Sequence, residues 1–148
     1  MKSEQLTEVA ENIFSLKHLF FKAFGKPSNF DSTITPLAYH ILLQLRDKQT
    51  LSMTGVSRKL GIPKPNVTAL VDKLIEKKLT ERIHDTQDRR IVMIRLTKKG
   101  YDFLETTRKT YNAQVSDKLL MLPEKDLEHF ADALLIVRNT LAALETIK

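Results

Sequence analysis

The chain contains no cysteine among its 148 residues. This absence excludes structural disulfides, thiolate zinc sites and peroxide sensing through a reactive thiol. No stretch of the sequence approaches the ~18–20 consecutive apolar residues of a membrane span. Glu4, Glu8 and Glu11 precede any apolar run, so we expect no signal peptide. The composition therefore predicts a single soluble domain in the cytoplasm.

Glycine is also scarce, with four residues and no cluster, so the chain has no glycine-rich loop that could cradle a phosphate. It shows no nucleophile motif and no tight acid–base pair. The four histidines are scattered and include no pair at one-turn spacing, which argues against a zinc site; they are His18, His40, His84 and His129. We therefore expect neither an enzyme nor a metal or cofactor site.

Positive charge, by contrast, is concentrated in one third of the chain. Residues 51–100 hold 12 Lys and Arg against 5 Asp and Glu, a net charge of +7, whereas the remaining residues hold 12 and 13. A local excess of this kind is typical of proteins that neutralise nucleic-acid phosphates.

Apolar residues recur at three- and four-residue steps in six segments, which predicts helices. Two β-rich runs flank a polar loop and predict a hairpin. The predicted fold is mainly α with a small β-hairpin wing, an α+β class. The helices are expected at 4–24, about 36–49, 52–60, 63–77, 97–120 and 123–146, and the strands at 80–84 and 91–96.

Residues 51–100 read as a helix-turn-helix followed by a basic loop. Gly61-Ile62-Pro63 forms the turn, because glycine can adopt positive φ and proline prevents simple continuation of the helix. The following helix has one apolar stripe, and small or hydrogen-bonding residues free of the core can reach base edges. That opposite face holds Asn66, Thr68, Ala69, Asp72, Lys73 and Glu76.

The hairpin tip, residues 85–90, ends in Asp88-Arg89-Arg90. A narrow minor groove concentrates negative potential and attracts arginine, and the sequence leaves open whether Arg89 or Arg90 enters it. Asp88 is electrostatically unsuited to phosphate contact, so we expect it to orient an arginine through a charge-assisted pair. A helix in the major groove and a basic loop at the backbone together predict binding to duplex DNA.

In these motifs the chain resembles the MarR family of winged-helix transcription regulators. The resemblance covers nearly the whole chain and is most specific in the Asp-Arg-Arg wing followed by Leu96-Thr97-Lys98-Lys99-Gly100. One departure is Lys78, which stands where the family usually has glycine at the end of the recognition helix. A non-glycine residue there costs on the order of 1 kcal/mol in a left-handed cap, so this end is expected to close differently.

The resemblance implies a symmetric homodimer that binds a pseudo-palindromic operator and acts as a repressor released by a small molecule. Residues 1–34 and 98–148 would form a helical dimerisation region, and residues 35–97 the winged helix-turn-helix lobe. Two recognition helices would then lie about one DNA turn apart, ~34 Å. An aromatic or fatty effector could bind between the dimer helices and the DNA-binding lobe, and no membrane partner is expected.

The candidate residues fall into two sets. Those expected at DNA are Ser52, Lys64, Pro65, Asn66, Thr68, Ala69, Lys73, Asp88, Arg89 and Arg90. Those expected to line an effector pocket, with an ordinary aromatic core as the alternative, are Phe14, His18, Phe21, Tyr39, His40 and Tyr111. Ser52 could equally donate to a phosphate or only cap its helix.

The main alternative function is a winged helix used as a protein-interaction module or as a sequence-indifferent architectural DNA binder. A recognition face with few lysines argues against pure phosphate binding. A specificity ratio near one on random DNA would favour the alternative.

Overall fold

The computed structural model describes residues 3–84, 88 and 90–146. Within these residues the chain is mostly helical with a small antiparallel sheet, so the predicted fold class is confirmed. The elements in chain order are α1 (Ser3–Phe24), α2 (Pro36–Lys48), β1 (Thr50–Ser52), α3 (Met53–Leu60), α4 (Lys64–Glu76), β2 (Thr80–His84), β3 (Val92–Leu96), α5 (Lys98–Leu119) and α6 (Glu124–Thr146).

The sheet contains one strand that the sequence pattern did not predict. Its strand order is β1-β3-β2, with Leu51 opposite Ile94 and Arg82 opposite Ile94 on the other side. The short strand β1 has only three residues and runs directly into α3. A segment of that length carries no readable alternation, so only its pairing with β3 identifies it.

The chain divides into two compact units, which we call the helical unit (Met1–Ser28 with Tyr111–Lys148) and the winged unit (Asn29–Thr110). The buried core of the winged unit comprises Ile34, Ala38, Ile41, Leu42, Leu45, Val56, Val67, Val71, Leu74, Leu79, Ile94, Leu96 and Leu104. Leu104 shows that the first half of α5 packs with the winged unit. The functional division at residues 34/35 and 97/98 stays a prediction.

The helical unit contains α1, the second half of α5 and α6. Phe20 packs against Phe24 and Phe130, with ring centroids 5.9 and 6.2 Å away. The Gln114 side chain donates to the carbonyls of Phe24 and Lys26 at 2.7 and 3.0 Å, and thereby holds the turn after α1. Many apolar side chains of this unit remain exposed in the single chain.

Helix α4 ends in a left-handed cap, the conformation that glycine usually supplies, although the residue at this position is Lys78. Lys78 has φ +61°. Its N–H donates to the Ile75 carbonyl at 2.8 Å, and the Leu79 N–H donates to the Leu74 carbonyl at 2.9 Å. These two bonds, with Leu74 and Leu79 both buried, define a Schellman motif. The expectation that this end closes differently was therefore wrong, because the capping bonds and the buried leucines impose the left-handed conformation on the lysine.

Lys78→Gly is accordingly expected to stabilise the protein by about 1 kcal/mol, because glycine adopts positive φ without steric cost. The free energy of unfolding from denaturant titration at fixed protein concentration measures this effect. Lys78→Ala removes the same charge but keeps a Cβ, and it should be no more stable than the parent. Equal stabilisation by both substitutions would attribute the effect to charge instead.

Candidate nucleic-acid interface

The helix-turn-helix is built from α3, α4 and the turn between them. Ser52 caps α3, because its hydroxyl oxygen accepts from the Gly55 N–H at 3.0 Å. Gly61 ends α3 with φ +64°. The Ser57 hydroxyl donates to the Ile62 carbonyl at 2.7 Å, and the Ile62 N–H donates to the Ser57 carbonyl at 3.2 Å. These bonds fix the angle at which α4 leaves the turn.

Helix α4 has one buried face and one face free of the protein core. Val67, Val71 and Leu74 are at most 1% exposed and anchor the helix in the winged unit. The predicted contact residues on this helix are all exposed, namely Lys64, Pro65, Asn66, Thr68, Ala69 and Lys73. Five of these six positions lie in the first half of α4, the part of a recognition helix that contacts base edges.

Thr68 makes a bond that sequence reasoning could not assign. Its hydroxyl donates to the Lys64 carbonyl at 3.1 Å. With its proton used in this way, the Thr68 oxygen is left as an acceptor, and its methyl group remains available for apolar contact.

At the wing, Arg90 and Asp88 form the pair that the sequence suggested. Arg90 Nε and Nη2 donate to the two Asp88 carboxylate oxygens at 3.1 and 3.3 Å, and the Arg90 N–H donates to Oδ1 at 3.0 Å. These bonds hold the pKa of Asp88 below its usual value. The Arg90 side chain is nevertheless 91% exposed. Arg89 lies outside the described residues, as do residues 85–87.

Two further ion pairs brace the wing and were missed from the sequence. Arg82 on β2 donates to Asp72 on α4 at 2.6 Å. Arg95 on β3 donates to Glu81 at 2.7 Å, directly across the β2–β3 register. Glu81 and Arg95 could have been paired from an alignment of the two predicted strands. The Asp72–Arg82 pair could not, since it depends on how α4 packs beside β2.

The end of α4 is joined to the start of α5 at what we call the α4–α5 junction. Three successive carbonyls after α4 accept hydrogen bonds from residues at the start of α5. Lys99 Nζ donates to the Lys77 carbonyl at 2.9 Å. The Thr97 hydroxyl donates to the Lys78 carbonyl at 2.6 Å, and the Thr97 N–H donates to the Leu79 carbonyl at 3.1 Å. The Thr97 oxygen also accepts from the Gly100 N–H at 3.0 Å and so caps α5. The junction gives the Leu-Thr-Lys-Lys-Gly motif a physical role, because it sets where the recognition helix ends.

Asp31 links the loop before α2 to the end of α4. Lys77 Nζ donates to Oδ2 at 2.7 Å, and the Thr33 N–H and hydroxyl donate to Oδ1 at 2.9 and 2.5 Å. The hydrogen bonds from Lys77 and Thr33 favour the charged carboxylate and lower the pKa of Asp31 from 3.8 to about 2.

A depressed folded-state pKa means that Asp31 contributes stability above pH 3.8 and that this contribution is lost as the pH falls toward 2. Carboxyl NMR titration of folded protein should show Asp31 ionising near pH 2, and Lys77→Met should raise that midpoint toward 3.8. Asp31→Asn should lower stability at pH 7 but have little effect at pH 2. An Asp31 midpoint near 3.8 in the parent would contradict this assignment.

The six residues predicted for an effector pocket are distributed over both units. Phe14 and Phe21 are exposed on α1, with Phe14 81% exposed, and His18 lies between them. Tyr111 is half-buried in the helical unit. In the winged unit, Tyr39 packs edge-on against Phe30 and Phe103, with centroids 5.3 and 6.4 Å away, while His40 is exposed. Burial raises the pKa of the Tyr39 hydroxyl. Tyr39 therefore serves the aromatic core of its own unit.

The helical unit contains an apolar cavity of about 520 Å³ that includes none of those six residues. It is lined by Leu16, Leu19, Phe20, Ala23, Phe24, Lys118, Leu119, Met121, Leu122 and Phe130. Lys118 Nζ donates to the Ala23 carbonyl. Among the described residues, no group of three His, Asp or Glu could hold a metal ion. None of the described helices is long and apolar enough to cross a membrane.

Sequence comparisons agree with this geometry. The sequence model of the MarR family matches residues 34–92, from the end of the first loop to the wing. Two relatives come from Bacillus subtilis (strain 168). The HTH-type transcriptional regulator YhbI is 28% identical over 108 residues, 73% of this chain and 68% of its own. The HTH-type transcriptional repressor MdtR is 27% identical over 117 residues, 76% and 74% of the two chains.

Solved structures share the fold. The transcriptional regulator Tm0710 from Thermotoga maritima has a TM-score of 0.76 at 22% identity, covering 95% of this chain and 99% of its own. The YusO protein from Bacillus subtilis has a TM-score of 0.71 at 24% identity, covering 94% and 99%. Over residues 34–92 the chain is similar to the MarR family, its relatives are named as transcriptional regulators, and it shares the winged-helix fold of the solved regulator structures.

Proposed function

We propose that this protein is a sequence-specific repressor that binds a pseudo-palindromic operator as a homodimer and is released by a small molecule. The observation that carries the DNA-binding part is the exposed half of α4, which is held on a buried apolar stripe beside a wing with an exposed arginine. A repressor of this kind acts on DNA, so we propose a cytoplasmic protein. The relative MdtR is named a transcriptional repressor, which supports repression over activation.

We propose the following roles at DNA. Asn66 and Thr68 read base edges, with Pro65 and Ala69 beside them. Lys64 and Lys73 contact phosphates, as can Ser52, whose hydroxyl proton is not used by its capping bond. At the wing, an arginine enters the minor groove, and Asp88 orients Arg90 toward it. These assignments rest on exposure and hydrogen bonding and on the chemistry of groove recognition.

The homodimer is supported by the apolar surface of the helical unit. No described side chain of α6 is buried in the single chain, although a helix with apolar residues at three- and four-residue steps normally packs against another surface. The exposed apolar residues on α6 are Leu134, Leu135, Ile136, Val137, Leu141 and Leu144.

Leu141→Asp tests this surface. Leu141 is 52% exposed in the single chain, so the substitution should leave the fold of one chain intact but place an unpaired charge in a dimer interface, at a cost of several kcal/mol. Sedimentation equilibrium should therefore show monomers where the parent shows dimers. Asn139→Asp introduces the same charge on the opposite side of the helix and should remain dimeric. A dimeric Leu141→Asp would remove this surface from the interface.

The proposed effector is an aromatic or fatty molecule. Exposed Phe14 and Phe21 and the phenol of Tyr111 suit an aromatic or fatty ligand of low polarity. The cavity of the helical unit, with Lys118 at its wall, offers an apolar volume of suitable size. Aromatic and fatty carboxylates should raise the melting temperature and weaken operator binding. Failure of such compounds to do either would remove the support for ligand release.

Footprinting on the DNA upstream of the protein's own gene, at two salt concentrations, tests operator binding. We expect protection of a twofold-symmetric site with half-sites about one helical turn apart, and an affinity that falls steeply with salt because several phosphates are neutralised. Protection that competitor DNA removes completely would favour the sequence-indifferent alternative. No protection of any DNA, in footprints or selections, would favour a protein-interaction module.

A further inference from the structure

The centre of the exposed α4 face is apolar. With 3.6 residues per turn, positions 65, 69, 72 and 76 form the line opposite the buried residues Val67, Val71 and Leu74. The first two positions on that line are Pro65 and Ala69, both exposed. Their side chains carry only hydrocarbon and therefore cannot hydrogen-bond a base.

The flanks of the same line carry Asn66 and Thr68. An asparagine amide can donate and accept at once, which matches the N6 and N7 atoms of adenine. Thr68 has its proton committed to the Lys64 carbonyl, so it offers a methyl group and an acceptor oxygen.

The charged groups that read guanine and cytosine are absent, occupied or turned aside near the start of α4, and the Thr68 oxygen can accept from the amino group of either adenine or cytosine. Guanine is read by Arg or Lys and cytosine by Asp or Glu. Lys64 is exposed at the first position of α4 but lies on the side of Val67 and Val71, and we assign it to a phosphate rather than to a base edge. Asp72 is already bonded to Arg82 at 2.6 Å. Lys73 lies more than two turns from the start of the helix, beyond the residues that usually reach base edges.

We infer that each operator half-site presents A·T base pairs to the first half of α4. The methyl groups of thymine contact Pro65 and Ala69, and Asn66 hydrogen-bonds one adenine. The thymine methyl is the apolar feature that distinguishes the four unmodified bases in the major groove, so an apolar reading line selects for it. This inference rests on the proposed function, since it assumes that α4 enters the major groove of an operator.

Selection of bound sequences from a random duplex pool, with the full-length protein, tests the base preference. We expect a twofold-symmetric site with A·T pairs at the positions in each half-site that face α4. The Asn66→Ala variant should lose the preference at one adenine per half-site, with affinity reduced roughly 5- to 150-fold for each half-site.

Replacing thymine by uracil in the selected site tests the methyl contacts directly, because it removes only the C5-methyl group and keeps base pairing. We expect about a fourfold loss of affinity for each buried methyl group, from ~0.8 kcal/mol per buried carbon. Uracil in the spacer between half-sites should have no effect. Ala69→Gly should bind thymine and uracil sites with nearly equal affinity at the position that Ala69 contacts.

The outcomes separate this inference from the function on which it rests. A selected twofold site with G·C pairs opposite α4 would overturn the inference and keep the sequence-specific regulator. A·T-rich sites with no uracil penalty at any position would likewise overturn it, because A·T preference would then reflect DNA shape. A pool with no enriched sequence would overturn sequence-specific binding itself.

Discussion

Replacing Gly100 with alanine is expected to destabilise the protein by about 3 kcal/mol or more, the largest effect of any single methyl group that we foresee. Gly100 is buried in the first turn of α5. A Cβ at this position would lie 2.1 Å from the Leu79 carbonyl oxygen and 3.0 Å from Leu96 Cδ2. The first contact is with backbone, so α4 and α5 would have to separate. The ~1 kcal/mol that alanine gains over glycine in a helix does not offset this cost.

Denaturant titration at one protein concentration measures the effect, and Gly55→Ala provides the control. Gly55 also lies in a helix, but its Cβ would meet only the Ser52 hydroxyl oxygen at 3.1 Å. We expect its stability to stay within about 1 kcal/mol of the parent. Since the α4–α5 junction would open in Gly100→Ala, DNA binding should also weaken. Unfolding of Gly100→Ala at the parent's denaturant midpoint would refute the tight approach at the junction.

Arg90→Ala should reduce operator affinity by about 1–3 kcal/mol per half-site and lower the dependence of binding on salt. The side chain is almost fully exposed, yet Asp88 holds its guanidinium by two hydrogen bonds. A pre-oriented arginine loses little conformational entropy on entering a narrow minor groove. Stability should change little, because an exposed ion pair contributes ~0–1 kcal/mol.

Fluorescence anisotropy at several salt concentrations gives both the affinity and the salt slope. Arg108→Ala is a matched control, because Arg108 on α5 is also exposed and bonded to a carboxylate, that of Glu105. It removes the same charge outside the wing and should change neither quantity appreciably. Unchanged affinity and slope in Arg90→Ala would exclude Arg90 from the DNA contact and leave Arg89 as the wing residue.

Helices and strands were predictable wherever a single chain segment carries its own signal. The apolar repeat of α4 and the Thr35-Pro36 start of α2 gave boundaries within a residue or two of those observed, because caps and amphipathic stripes are local in sequence. The pairing of Asp88 with a wing arginine was predictable for the same reason, since they are near neighbours, whereas the identity of a partner as Arg90 came from the structure.

The errors arose where residues distant in sequence meet. The strand β1 exists only through its partner β3. Lys78 is a local exception, because capping bonds to Ile75 and Leu74 and the burial of Leu79 impose a left-handed conformation that the lysine side chain disfavours. Position 100 requires glycine because the carbonyl oxygen of Leu79, 21 positions earlier in the sequence, leaves no space for a Cβ.

The sequence by itself determined the order of the six helices and the β2–β3 hairpin, the concentration of basic residues and the identity of the side chains on the free face of α4. The tertiary structure decided which of those side chains are committed to the protein. The Thr68 hydroxyl donates to the Lys64 carbonyl, and the Asp72 carboxylate accepts from Arg82. The physical reason is that helical periodicity fixes the face on which a residue lies, whereas its hydrogen-bonding capacity for DNA depends on partners that only folding brings within about 3 Å.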